Sequence, residues 1–304
     1  MRLDDFDPNI NVSDQGRGRG GGGFRGGGVG GGMLGMILPL VGRRFGCLGI
    51  GVVLVLMVVF GGGLSGLGGL LGGGGQQVAT SASSTPTTTN EICRRSGYLA
   101  ACNAFSSANK TWTAVFRREG AAYQSPALRF YTSDGESACG AAQSSMGPFY
   151  CPPDQGIYLD TSFFNELATR YGARGDFAQY YVIAHEFGHH IQTLEGTSDQ
   201  VRQAQASAAR AESNQLQVRM ELQADCYAGV WAAQNRDRLE PGDIEEGMTA
   251  AAAIGDDTLQ REAGARVSPE SFTHGSSEQR MRWLRRGLES GDPGACDTFG
   301  ARAG

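Results

Sequence analysis

Histidine is scarce in this 304-residue chain, which has four. Three of them, His185, His189 and His190, fall in one short run, and only His274 lies apart. Close Cys-x-x-Cys pairs are missing, which argues against a cysteine-based zinc site. A strong charge of either sign is missing too. The net charge of -5 gives no reason to expect a nucleic-acid partner for the chain as a whole. Charged residues are absent from Phe45 to Leu71, whose densest part, Cys47 to Phe60, is rich in Val, Leu, Ile and Met.

That uncharged run supplies the roughly 20 mostly apolar residues a spanning helix needs. Arg43 and Arg44 precede it, with Arg17, Arg19 and Arg25 upstream, and no basic cluster follows before Arg94 and Arg95. The positive-inside rule then predicts a cytoplasmic N-terminus and an extracytoplasmic C-terminal region, in a single-pass membrane protein. The apolar core starts far from Met1 and no clear Ala-x-Ala site closes it, so an uncleaved anchor is favoured over a signal peptide. Of seven cysteines, Cys47 lies inside the run. Cys93, Cys102, Cys139, Cys151, Cys226 and Cys296 lie beyond it, an even set that reads as disulfides of an exported domain. Sequence leaves the pairing open. Locality favours Cys93–Cys102 and Cys139–Cys151, leaving Cys226 with Cys296.

Four regions follow. Residues 1–32 read as a disordered Gly/Arg-rich cytoplasmic tail. Its Arg/Gly pattern is that of an RNA-binding segment, but Asp4, Asp5, Asp7 and Asp14 offset the arginines and aromatics are few, so a flexible tail is the better reading and no nucleic acid is expected. Residues 33–72 form the membrane-anchor region, with the span at about 45–66. Residues 73–90 are a Ser/Thr-rich linker, and 91–304 the folded domain. In that domain, helices are expected over Cys93–Asn109, Thr111–Gly120, Thr161–Tyr171, from an Asp176 N-cap through Leu194, over Asp199–Asn235 with a break near Asn214, and over Ser277–Glu289. Strands are expected at Leu128–Thr132 and Ile157–Leu159. The fold class is α+β, mostly helical with a small sheet.

The run His185-Glu186-Phe187-Gly188-His189 is an H-E-x-x-H motif, and Glu221 with Asp225 adds E-x-x-x-D. Residues four apart share a helix face, so His185 and His189 can grip one metal ion. Catalytic zinc takes three protein ligands and leaves a position for water; Glu221 is the best third. Asp225, one turn on, is placed to accept the free N–H of a ligating histidine. Glu186 cannot ligate beside its neighbours but stands where it can take a proton from water and return it to a leaving amine. His274, just before the last helix, is the candidate donor to the oxyanion. His190 points another way and reads as structural.

The segments HEFGHHIQ, ELQADCYAGVWA, THGSSEQRMRWLRRG and GPFYCPPDQGIYLD together resemble the bacterial neutral zinc metallopeptidase family, over roughly Cys93 to Thr298. The motifs are also similar to those of the gluzincin group. The resemblance implies a zincin-like domain, one catalytic Zn2+ on His185, His189 and Glu221, Glu186 as base, a peptide or protein substrate, and Ile157-Tyr158-Leu159 as the strand that binds substrate backbone. The expected function is a membrane-anchored zinc endopeptidase acting outside the cytoplasmic membrane. The alternative is a zinc-binding, non-catalytic scaffold of the cell envelope.

Overall fold

The structure, a computed structural model, describes residues 1–17 and 87–300. These form one α+β body, mostly helical with a small sheet. Strand β1 is Val12–Arg17 and β2 is Ala127–Thr132. The hairpin β3 (Asp134–Ser137) and β4 (Gly140–Gln143) follows, then β5 (Phe149–Cys151) and β6 (Gly156–Leu159). The helices are α1 (Thr89–Cys93), α2 (Leu99–Glu119), α3 (Ser162–Thr169), α4 (Asp176–Leu194), α5 (Thr197–Ser207), α6 (Arg210–Gln234), α7 (Asp243–Ala253), α8 (Asp256–Glu262) and α9 (Ser277–Ser290).

The sheet runs β4-β3-β2-β6-β5, with β1 parallel to β2. β2 and β6 are also parallel, and β5 returns antiparallel to β6. Leu128, Phe130, Ile157 and Leu159 are fully buried and join the helical core. That core is aromatic: Phe105 meets Phe187 edge-on at 5.2 Å, and Trp112 meets Tyr227 at 5.3 Å. Such edge-on pairs add directionality to apolar burial. Two glycines let α9 lie directly on α6. A Cβ at Gly229 would sit 2.2 Å from the Leu284 carbonyl oxygen, and one at Gly287 1.9 Å from that of Cys226. No L side chain fits either place.

Several expectations change. Residues 93–119 carry one long helix, α2, with the short α1 before it, because Asn109-Lys110 offers no helix breaker. The break in the 199–235 region falls at Ala208-Ala209, not at Asn214, whose amide is turned outward to the Glu270 carbonyl and leaves the helix intact. Gly175 caps α4, and Asp176 is its first residue. The supposed substrate strand Ile157-Tyr158-Leu159 is paired on both sides, to β2 and to β5, so it has no edge to offer. All three cysteine pairs form as expected: Cys93–Cys102, Cys139–Cys151 and Cys226–Cys296.

The largest correction concerns the N-terminal tail. Residues 1–17 belong to the folded body. Met1, Leu3 and Ile10 are core residues. Asn103 brackets the arm by accepting from the Phe6 N–H and donating to the Leu3 carbonyl. The Leu128 N–H donates to the Asn11 carbonyl at 2.8 Å, and Val12, Ser13 and Asp14 then pair with Leu128, Arg129 and Phe130. Backbone amides need such partners once buried, and a sheet edge supplies them. A strand cannot hydrogen-bond to a sheet through a bilayer. The pairing of β1 with β2 forms only where arm and body lie on the same side of any bilayer. The expected span at 45–66 and residues 73–86 of the linker lie outside the described residues. Among the described residues no helix is long and apolar enough to cross a membrane.

Candidate metal centre

α4 and α6 cross so closely that a Cβ on Gly188 would lie 2.8 Å from the Ala224 Cα. The glycine inside the H-E-x-x-H run thus lets α6 approach. It brings Glu221 against the two histidines one turn apart on α4. His185 Nε2 stands 3.2 Å from Glu221 Oε2, and His189 Nε2 3.6 Å from Glu221 Oε1. The ligand atoms of the three residues lie within 4.8 Å of one another.

The far side of each ring is tied down. His185 Nδ1 is 2.8 Å from Asp225 Oδ1. His189 Nδ1 is 2.9 Å from Gln192 Oε1, whose amide in turn donates to the Met220 carbonyl and to Gln223 Oε1. Asp225 has only acceptor oxygens when ionised, so the ring hydrogen of His185 sits on Nδ1. Its Nε2 lone pair then faces a carboxylate oxygen. That juxtaposition is unfavourable unless a proton or a cation lies between them.

Zinc fits. With zinc–ligand bonds of about 2.0–2.1 Å, tetrahedral ligand atoms sit about 3.3 Å apart. Each histidine has a Glu221 oxygen close to that spacing, His185 Nε2 at 3.2 Å from Oε2 and His189 Nε2 at 3.6 Å from Oε1. Two imidazole nitrogens and one carboxylate is also a ligand set that catalytic zinc uses.

The electrostatics agree. Burial works against the charge on each histidine, but Asp225 and Glu221 outweigh it and push His185 up to about 9. His189 is likewise raised, burial being overcome by Glu221. Burial opposes the charge on Glu221 too, yet the two histidines hold its carboxyl well below the usual range. Glu186 goes the other way: burial raises it, and no hydrogen bond from a described residue offsets this. It is a buried carboxylate beside the site, well disposed to accept a proton.

His274 is 48% exposed, with Nδ1 3.2 Å from Asp256 Oδ1. Asp256 also accepts the backbone N–H groups of Thr273, His274 and Gly275, which fixes the loop. Burial lowers His274, but Asp256 and Glu221 raise it overall. His190 is structural as expected. It is buried, bonded to the Gln124 carbonyl and to Tyr150 Oη, and burial lowers it to about 4.

Sequence reasoning missed three residues behind the histidines, two of them on Asp225. Arg280 on α9 forks onto it through Nε and a terminal nitrogen at 2.8 and 2.9 Å. The Tyr181 hydroxyl donates to the same carboxylate at 2.5 Å. Gln192 does the corresponding work for His189. Tyr181 precedes His185 by four positions, so helix spacing could have flagged it; nothing local marks Arg280. A second acidic group, Asp176, Asp243 and Glu246, also has metal-like spacing. The Met1 amine lies there, 2.7 Å from Asp243 Oδ1, and supplies the positive charge.

The model of the family described as "Putative neutral zinc metallopeptidase" matches residues 2–299. The Escherichia coli K12 protein YpfJ is 55% identical over 192 residues, covering 62% of this chain and 67% of that protein. The Mycobacterium tuberculosis protein Rv2575 is 44% identical over 192 residues, covering 59% of this chain and 64% of the relative. No solved structure matches.

Proposed function

This chain belongs to the neutral zinc metallopeptidase family, and from that premise we propose that it is a zinc-dependent endopeptidase. One observation carries the reading. Two histidine Nε2 atoms and a carboxylate converge at zinc spacing, and the opposite nitrogen of each ring is already held by an acceptor.

A zinc ion held by His185, His189 and Glu221 would supply Lewis acidity toward a peptide carbonyl and bring the pKa of a water to about 7. Glu186, buried beside the three ligands, would serve as the group that accepts a proton from the attacking water and returns it to the leaving amine. Its raised pKa suits both halves of the transfer. His274, kept protonatable by Asp256, is the donor assigned to the developing oxyanion. Extended peptide is best accommodated on β5. That strand ends the sheet, and Tyr150 ties it to the motif helix through His190. An edge strand recognises peptide backbone whatever its side chains.

Three disulfides support action in an oxidising compartment. The apolar run at 45–71 supports membrane association of that body. The arm and the body share one fold, so this proposal puts both on the same, extracytoplasmic face.

The test is Glu186→Gln on the full-length chain, with bound zinc and casein hydrolysis measured together. Zinc should stay stoichiometric while hydrolysis falls by about 10²–10⁴-fold, the range for loss of a general acid–base. Unchanged cleavage would remove Glu186 from the reaction. A wild-type chain that holds zinc and cuts no unfolded protein would favour the scaffold reading instead.

A further inference from the structure

We infer that Arg280 is a positioning residue for the metal centre, acting on His185 through Asp225. This rests on the zinc reading above. The capping box of α9, in which Ser276 and Gln279 satisfy each other's backbone, fixes the first turn of the helix and so the direction of Arg280. The close α6–α9 contact at Gly229 and Gly287 brings its guanidinium to Asp225. The side chain of Arg280 is 2% exposed and that of Asp225 is fully buried.

The guanidinium takes both carboxylate oxygens, Nε on Oδ2 at 2.8 Å and a terminal nitrogen on Oδ1 at 2.9 Å. It also donates to Tyr181 Oη at 3.2 Å and, through its other terminal nitrogen, to the Ile254 carbonyl at 3.2 Å. Arg280 thus braces α4, α6 and the end of α7 around one acid. A buried ion pair of this kind is weak as a source of stability, since similar pairs are often replaced by apolar residues at no loss. Its chemical consequence is specific. Arg280 fixes both oxygens of Asp225 and with them the direction from which Oδ1 meets His185 Nδ1. That contact sets the plane of the imidazole and aims its Nε2 at Glu221. Arg280 also comes within 3.3 Å of His185 Nδ1, but the charged acceptor at 2.8 Å wins that hydrogen.

The experiment uses the full-length chain and Zn2+ titrated against a chromophoric chelator. The melting temperature of the metal-free protein and the visible spectrum of the Co2+-loaded protein are read beside it. Arg280→Met should weaken zinc binding by about 10–100-fold, as for other residues that support a ligand from behind, and should alter the Co2+ bands. Arg280→Lys cannot fork and should be intermediate. Tyr181→Phe, which removes one donor without removing charge, should weaken binding a few-fold. Asp225→Asn with Arg280→Met should bind zinc no more weakly than Asp225→Asn alone, because the arginine acts through the acid. Zinc affinity within twofold of wild type in Arg280→Met, with only the melting temperature lowered, would make Arg280 a packing staple and overturn the inference. Should Arg280→Met fail to fold, Arg280→Lys and Tyr181→Phe decide it by the same criterion. A wild-type chain that binds no zinc would sink the function proposal along with this one, whereas an unaffected variant sinks this one alone.

Discussion

His185 shows how one side chain serves two partners through its two nitrogens. Without metal, its raised pKa means a proton fills the gap to Glu221. The sign follows from that shift. The imidazolium contributes to stability fully below the unfolded histidine value of about 6.5, and the contribution is lost as pH climbs through the folded value. Zinc must displace that proton, so zinc binding at pH 7 is expected to release protons and to weaken steadily as pH falls. Calorimetry in buffers of different ionisation enthalpy measures the release directly; a buffer-independent heat would show that the imidazoles were already neutral. His185, Glu186 and His189 could be grouped from spacing, because helix geometry makes their relation local; Glu221, 36 positions from His185 on another helix, was chosen because zinc needs a third ligand and Asp225 follows it by one turn. Arg280 could be reached by neither route. It lies 55 positions from Asp225, on a helix whose sequence offers several other arginines.

Helices α4 and α6 build the site by their separation, and Gly188 sets that separation. Gly188→Ala forces a methyl into the Ala224 backbone. Overpacking of this kind costs about 1–3 kcal/mol, and here the relief is to move α6, and Glu221 with it, away from the histidines. Lower stability in denaturant and weaker zinc binding should appear together. Loss of stability with unchanged zinc affinity would mean that the helices tilt without parting at Glu221. Most strongly patterned elements were legible beforehand: α4, the C-terminal α9 and the β6 region. The errors came where the pattern was silent. Nothing in Gly140–Gln143 announces a strand, α7 and α8 are short and rich in alanine or charge, and which strand ends a sheet is a property of the neighbours.

The packed arm makes a claim about the molecule as a whole. If residues 1–17 and 87–300 fold as one body, they share a face of any membrane the chain enters. With Cys47 changed to Ser, single cysteines at Asn9 and Glu262, both exposed, should react alike with an impermeant maleimide on intact cells. Reaction of both before lysis supports the extracytoplasmic placement. Reaction of both only after lysis keeps the shared fold but moves the body inside. Labels on opposite sides would separate arm from body and refute the pairing of β1 with β2.

The amino-acid order laid out the candidate site: two imidazoles a turn apart, an acid between them and a later helix with Glu221 and Asp225; short separations suggested two of the cysteine pairs, and Cys226 with Cys296, 70 residues apart, was what remained. The relations within one helix and the two short cysteine pairs are carried by the chain's local geometry and survive without knowledge of the rest. Folding alone assigned Arg280 to Asp225, paired β6 on both sides and put β5 at one end of the sheet among the described residues, and turned an apparent tail into a sheet strand. Each of those depends on which distant surfaces bury one another, a choice made by the packing of the entire core and written in no single segment.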